Sequence, residues 1–373
     1  MKYGIILGLL TTAVGIANAQ EKNLAINNLT QVKVNAATPV KSQGETGTCW
    51  AFSTTSLVES EALRKGIPAL DISEMYTARN IYIEKAKNYV HRQGKAQFDE
   101  GGLGHDVIRA MANYGIVPES VYNGMLPGDT IHNHSKMVKE MKAYLDTLLA
   151  HTPISSDWET GFTAILDKYM GRPPANFQYN GKNYTPVTYA KDVVKFNPND
   201  YVFLTSFTHH PFYQSFIVEV PDNFSNGAYF NVPLDELTGI TNKALEKGYT
   251  VLWDADVSNK GFSYRSGFAV FPKDTSIKKD KLNASTVEAP YSQELRQQLY
   301  ESLITQDDHL MHITGIEKTP EGKIFYRVKN SWGNSGPFGG YWQASEAYFA
   351  INTITIIVPK AALDKGFEKK YNL

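Results

Sequence analysis

Residues 43 to 52 read QGETGTCWAF and contain Cys49, the only cysteine of the 373-residue chain. A chain with a single cysteine forms no internal disulfide, so Cys49 is not a structural cross-link. Most free cysteines are buried small apolar side chains, and that role is the alternative to a reactive one. The residues that follow Cys49 favour the reactive role.

The segment after the cysteine predicts a helix over residues 49–65, ended by the glycine and proline that follow it. Its apolar side chains occupy two sides, with Trp50 on one and Phe52 on the other, which is typical of a helix between two packed lobes. Cys49 lies in the first turn, where unpaired N–H groups and the helix dipole favour an anion. The sequence therefore predicts a thiol that ionises easily.

Composition and charge narrow the class of protein. Hydrophobic residues make up 42% of the chain and aromatic residues 12%, which is enough for a large core. The 37 basic and 38 acidic residues leave a net charge of −1, and neither sign forms a long run. Nucleic acid and anionic membrane surfaces are therefore not expected partners.

The first nineteen residues have the features of an export signal. A lysine is followed by an apolar run and by the small-x-small ending Ala-Asn-Ala at 17–19. A membrane anchor, the alternative, needs about twenty apolar residues, and this stretch is interrupted by Thr11 and Thr12. We predict a signal peptide over 1–19, a periplasmic or secreted protein, and no membrane contact after the signal is removed.

The remaining pattern predicts an α+β fold. Helical spacing of apolar residues recurs over 134–151, 157–170 and near 233–248, whereas short alternating runs typical of strands dominate after residue 200. We predict a helical lobe at about 40–125, a helical insertion at about 126–200 and a β-rich lobe at about 201–373, with the active site between the lobes.

Residues 307–333 predict a β-hairpin with a Thr-Pro-Glu-Gly turn. A two-residue loop places His309 opposite Trp332, with Asn330 one diagonal step away on the same face. A three-residue loop with a bulge instead places His312 opposite Asn330. The strand pattern alone leaves both histidines as candidates.

The motif Q-x-x-x-G-x-C-W-A-F, from Gln43 to Phe52, resembles the nucleophile segment of papain-like cysteine peptidases. The resemblance implies a papain-like two-lobed fold that hydrolyses peptide bonds through a Cys49 thioester. It implies that the Gln43 side chain and the Cys49 backbone N–H form an oxyanion hole, which stabilises charge as the tetrahedral intermediate forms.

The same resemblance favours His309 over His312 as the catalytic histidine. The sequences DHLM at 308–311 and NSWG at 330–333 match the family's histidine and asparagine segments. By this match His309 exchanges protons with the thiol and forms an ion pair with it, Asn330 orients the ring, and Trp332 shields their hydrogen bond. His312 is then a strand residue on the other face. No cofactor is expected.

The spacing indicates a branch of the family. Cys49 and His309 are 260 positions apart, whereas about 130–150 are usual in papain-like enzymes. This long spacing resembles the bleomycin hydrolase and aminopeptidase C branch, which implies an aminopeptidase acting on peptide or protein substrates. Related enzymes form hexameric rings, and the sequence itself neither requires nor excludes an oligomer.

Specificity is the least determined feature. Gly101 and Gly102 match the glycines that let a substrate backbone approach the groove wall, although paired glycines also fit a tight turn. The last residues, DKGFEKKYNL, differ from the tail that caps the cleft in this branch. The alternatives are therefore an endopeptidase with an open cleft and a catalytically silent papain-like binding protein.

The adjacent histidines His209 and His210 raise the question of a metal site. Neighbouring side chains are expected to point in different directions, and no further spacing typical of metal ligands accompanies them. We predict surface or loop roles for both, and no metal.

Overall fold

The computed structural model describes residues 29–373. The predicted signal peptide lies outside the described residues and stays a prediction. Within residues 29–373, no helix is both long enough and apolar enough to span a membrane.

The first half of the described chain is mainly helical. Strand β1 (Thr30–Val34) is followed by helices α1 (Cys49–Arg64), α2 (Glu74–His91), α3 (Gly104–Tyr114), α4 (Ser135–Leu149) and α5 (Trp158–Met170). A small hairpin of β2 (Phe177–Tyr179) and β3 (Lys182–Tyr184) and a short helix α6 (Pro186–Tyr189) complete it. The helices expected at 49–65, 134–151 and 157–170 are all present.

The second half is mainly β-structure. Its strands are β4 (Tyr201–Thr205), β5 (Ser215–Ile217), β6 (Ala228–Asn231), β7 (Val251–Ala255), β8 (Phe262–Ser263), β9 (Phe268–Ala269), β10 (His309–Lys318), β11 (Ile324–Lys329), β12 (Tyr341–Ser345) and β13 (Thr353–Pro359). Its helices are α7 (Leu234–Glu246), α8 (Gln293–Glu301), α9 (Glu346–Asn352) and α10 (Lys365–Tyr371). The predicted α+β class is confirmed.

The strands of the second half join β1 in one mixed sheet of eleven strands. The order is β5-β6-β4-β13-β7-β10-β11-β12-β9-β8, and β1 also pairs with β10. The first half of β10 lies between β7 and β11, so the residues that begin this strand are at the middle of the sheet. Helix α1 packs against β10, β7, α2 and α3. Burial of both Trp50 and Phe52 agrees with the two apolar sides expected for α1.

The β10–β11 hairpin combines the two registers considered from the sequence. Beside the turn, Lys318 pairs with Ile324, which is the register of a three-residue loop. A bulge in the middle of β10 then shifts the pairing by one residue, so His312 lies opposite Lys329 and not opposite Asn330. At the histidine end the strand therefore has the register expected for a two-residue loop.

Candidate active site

Cys49 begins helix α1 and faces the start of β10. Its side chain is 7% exposed. The backbone N–H of Leu310, the residue after His309, is close enough to the Cys49 sulfur to act against the rise in its pKa. The fold thus brings together two chain segments that are 260 positions apart in the sequence.

The ionisation of Cys49 differs from the sequence-based expectation. Burial raises the pKa of the thiol to about 12, against the opposing effect of the Leu310 N–H. The carboxylates of Asp307, Asp254 and Asp222 add to the increase because they repel a thiolate. The direction of the pKa shift is therefore opposite to the sequence-based expectation, because burial outweighs the position at a helix N-terminus.

His309 and Asn330 are in direct contact. The distance between His309 Nε2 and Asn330 Oδ1 is 2.7 Å, so the ring nitrogen donates and the amide oxygen accepts. Asn330 Oδ1 also accepts from the Ser331 N–H at 2.7 Å, which fixes the orientation of the amide. With its hydrogen on Nε2, the neutral ring has its lone pair on Nδ1. Burial lowers the pKa of His309, although the Asn330 hydrogen bond acts in the other direction.

Trp332 lies over the His309 ring. Their ring centres are 4.7 Å apart and their planes are inclined by 30°. The edges of Phe262 and Trp342 pack against Trp332, with interplanar angles of 86° and 84°. Trp332 therefore lies beside the ring that bonds to Asn330, and its predicted shielding of that hydrogen bond stays a prediction.

His312 has different neighbours. Its Nδ1 lies 2.9 Å from Ser56 Oγ, and Lys329 Nζ donates to the same hydroxyl at 2.6 Å. Burial holds the pKa of His312 well below its usual range, and the Lys329 charge adds to the effect. Of the two histidines considered from the sequence, the structure brings His309 to Asn330 and His312 to Ser56.

Gln43 is attached to the segment that carries Asn330. Its backbone N–H donates to the Ser331 carbonyl at 2.8 Å, and the Ser331 hydroxyl donates to Gln43 Oε1 at 2.6 Å. Gln43 Nε2 donates one hydrogen to the Thr46 carbonyl at 2.6 Å, which leaves its second hydrogen for another acceptor. Sequence reasoning missed Ser331 as the residue that holds Gln43, although it lies inside the NSWG motif.

Replacing Gln43 with alanine is expected to lower kcat by about 10²–10³-fold, because the tetrahedral intermediate loses a hydrogen-bond donor. KM is expected to change much less, since the oxyanion forms only after binding. Steady-state kinetics on an aminoacyl amide measures both. The matched control is Gln178→Ala, which changes an exposed glutamine in β2. Equal effects of the two substitutions would remove Gln43 from the site.

The loop with Gly101 and Gly102 lies beside the start of α1. Trp50 Nε1 donates to the Glu100 carbonyl at 2.9 Å. A Cβ atom at Gly102 would lie 3.1 Å from the Trp50 ring, and one at Gly101 would lie 1.9 Å from an Asp222 carboxylate oxygen. A side chain at Gly102 would crowd the Trp50 ring, and one at Gly101 would have to displace the Asp222 carboxylate. The Asp222 side chain against Gly101 was not anticipated from the sequence.

The adjacent histidines do not diverge as expected, since both rings turn to Glu219. His209 Nε2 and His210 Nε2 lie 3.2 Å and 2.7 Å from its carboxylate oxygens. Gln297 Nε2 donates to His209 Nδ1 at 2.8 Å, while its Oε1 accepts from the Thr208 N–H. The hydrogen of His209 is therefore on Nε2, which leaves that nitrogen no lone pair for a metal. Hydrogen bonds account for this cluster.

Sequence comparison places the chain in a known family. Residues 10–373 match the peptidase C1-like family. The chain belongs to this family. The peptidase is 22% identical to cysteine proteinase 1, mitochondrial, of Saccharomyces cerevisiae, over 90% of its own length and 77% of the relative's. It is 24% identical to aminopeptidase C of Lactococcus lactis subsp. cremoris, over 88% and 82%.

A solved structure has the same fold. PepW from Lactobacillus rhamnosis HN001 superposes with a TM-score of 0.73 at 20% identity, covering 97% of the peptidase and 92% of PepW. The papain-like fold and the aminopeptidase C branch, both predicted by resemblance, are confirmed by these relationships.

Proposed function

We propose that the peptidase is a cysteine aminopeptidase of the aminopeptidase C type, which removes residues from the N-termini of peptides or proteins. The observation that carries this proposal is the grouping of Cys49, His309, Asn330 and Gln43 at the junction of α1 and β10. Relatives named aminopeptidase C that match most of the chain support the exopeptidase class.

The first step is attack by sulfur. Burial raises the pKa of Cys49 and lowers that of His309, so His309 acts as the base that takes the thiol proton before or as the sulfur attacks. The Cys49–His309 ion pair expected from the sequence stays a prediction. His309 Nδ1 accepts the thiol proton as the sulfur bonds to the scissile carbonyl carbon. The carbonyl oxygen becomes an oxyanion, which accepts hydrogen bonds from Gln43 Nε2 and the Cys49 backbone N–H.

The later steps return the enzyme to its first state. Protonated His309 gives its proton to the leaving amine as the C–N bond breaks, which forms a Cys49 thioester. His309 then takes a proton from water, whose oxygen attacks the thioester carbon. The C–S bond breaks, the sulfur regains a proton from His309, and the N-terminal amino acid is released.

Asn330 orients the base throughout this cycle. Its Oδ1 accepts from His309 Nε2 when the ring is neutral and when it is protonated, so proton exchange takes place at Nδ1. A neutral amide is sufficient in this role because it supplies a directional hydrogen bond, and the negative charge of the reaction lies elsewhere.

A comparison of free and blocked substrates tests the aminopeptidase assignment. An aminoacyl amide with a free α-amine is expected to have a kcat/KM about a hundredfold or more above that of its N-acetylated counterpart. The alternative, an endopeptidase with an open cleft, requires the opposite order. Preferential turnover of the acetylated substrate would overturn the proposal.

A further inference from the structure

The segment at 218–227, here called the bridging segment, connects the two structural halves beside the active site. It follows β5 and precedes β6, so both of its ends lie in the sheet. Its middle packs on the helices, where the Phe224 ring lies under the Arg109 guanidinium of α3, at 5.6 Å. The segment therefore crosses from the sheet to the helices.

Hydrogen bonds fix the shape of the bridging segment. The Asn223 side chain donates to the Val218 and Gly227 carbonyls at 2.9 and 3.0 Å and accepts from the Gly227 N–H at 2.7 Å. His105 of α3 attaches the segment to the helices, with its Nε2 2.9 Å from Ser225 Oγ. These contacts give the segment a defined position, as a specificity element requires.

The bridging segment reaches Gly101, which the resemblance assigns to the wall of the substrate groove. The Asp222 carboxylate fills the space directly over Gly101, where even a methyl group would be 1.9 Å from its oxygen. Lys85 Nζ, from α2, binds the Gly101 carbonyl. A peptide that continued past Gly101 would therefore meet the Asp222 side chain and would find this carbonyl already bonded.

Three carboxylates act through their charges on the reactive thiol. Asp307, Asp254 and Asp222 are close enough for their charges to act on Cys49 and on one another. Asp307, two residues before His309, is partly exposed. Burial raises its pKa to about 7, and the Asp222 charge adds to the effect. Lys85 is the basic residue whose charge acts on Asp222, and Gln97 Nε2 donates to Asp222 Oδ1 at 3.1 Å.

Asp254 shows that this group holds more acidic oxygens than donors. Its side chain is 1% exposed, and its Oδ2 accepts from Thr355 Oγ1 at 3.2 Å. Its Oδ1 has no N–H or hydroxyl donor among residues 29–373, and its carboxyl group lies against that of Asp307. Burial and this neighbour raise the pKa of Asp254 well above its usual range. Two carboxyl groups in contact are stabilised by a shared proton, or by a cation or donor that a ligand brings.

The geometry of an N-terminal residue matches this arrangement. Its amine nitrogen is about 2.5 Å from the scissile carbonyl carbon, because only Cα lies between them. When sulfur attacks that carbon, the ammonium group is necessarily close to Cys49, which is where these carboxylates act. Charge-assisted hydrogen bonds to carboxylates are the strongest available to an ammonium group.

We propose that Asp222 and Asp307 bind the α-ammonium group of the substrate, and that the bridging segment excludes residues beyond it. The proposal rests on the aminopeptidase function and assigns its selectivity to these residues. A protonated amine satisfies the carboxylates, whereas an acyl group in its place meets the Asp222 side chain and brings no charge.

Three substrates separate charge from size. They are an aminoacyl amide with a free amine, its des-amino analogue, in which hydrogen replaces the amine, and its N-acetylated form. The native peptidase is expected to favour the first over both others. In Asp222→Asn, which keeps the size of the side chain, the preference over the des-amino analogue is expected to fall about ten- to a hundredfold. Discrimination against the acetylated form is expected to remain.

The measured quantity is the ratio of kcat/KM for the free-amine substrate to kcat/KM for the des-amino analogue. A substitution that changes the pKa of Cys49 alters both values alike, so it leaves this ratio unchanged. Asp307→Asn is the second variant, with the same expected fall, so the test does not depend on one variant folding. The control, Glu219→Gln, removes a charge from the same segment at its contact with His209 and His210. Its preference is expected to match that of the native protein.

If both variants keep the native preference for the free amine, the inference is wrong and the aminopeptidase function stands. If the native peptidase shows no such preference, the function itself fails. A fall of equal size in Glu219→Gln would show that the bridging segment acts through its fold and not through the Asp222 charge.

Discussion

Replacing Cys49 with alanine is expected to abolish peptide hydrolysis, with kcat/KM reduced on the order of 10⁴-fold or more. Without sulfur no thioester forms, and neither His309 nor the oxyanion hole supplies a nucleophile. The fold is expected to persist because alanine is the best helix former at the first residue of α1. Only one sulfur atom leaves this buried position.

Steady-state kinetics on a free-amine aminoacyl amide measures the loss, and thermal unfolding of the same sample measures the fold. Cys49→Ser is the matched control, since it keeps a nucleophilic atom of weaker reactivity and is expected to retain trace activity at most. Substantial turnover by Cys49→Ala would move the chemistry to another residue. An inactive native protein would instead identify the catalytically silent binding protein that the sequence left as an alternative.

The features that could be predicted from the sequence are those formed by residues that are neighbours along the chain. Helix α1 was predicted because its two apolar sides and the glycine after it are properties of neighbouring residues. The hairpin that carries His309 and Asn330 was predicted because its alternation and turn are also local. The link between this hairpin and Cys49 came only from the resemblance, since the two segments share no local pattern.

Features that depend on distant packing could not be predicted. The bulge in β10 decides which histidine reaches Asn330, and it occurs where β1 also pairs with the strand, almost 300 residues away in sequence. The position of Asp222 over Gly101 depends on where a loop of the sheet meets the helices. Neither arrangement has a signal in the residues themselves.

The ionisation of Cys49 also depends on distant residues and could not be predicted from the sequence. The helix N-terminus, which favours a thiolate, can be recognised in the sequence. The burial and the carboxylates that oppose ionisation come from β7, the residues just before β10 and the bridging segment, which meet near the thiol only in the folded protein. A pKa depends on the whole environment, so one favourable local feature did not predict its direction.

Replacing His309 with alanine is expected to reduce kcat/KM by about 10³-fold or more, because the sulfur attacks only when a base takes the thiol proton. His312→Ala is the matched control in the same strand. It removes the partner of Ser56 and is expected to destabilise the fold by about 1–3 kcal/mol, with less than about a tenfold loss of kcat/KM.

The two effects separate because the histidines belong to different networks. His309 is bonded to Asn330 beside the thiol, whereas His312 is bonded within the polar cluster of Ser56 and Lys329 behind it. Kinetics measured well below each variant's unfolding temperature, with thermal unfolding alongside, resolves activity from stability. Equal losses of kcat/KM would mean that the register of β10 differs in solution, since only that register brings His309 to Asn330 and keeps His312 away from it.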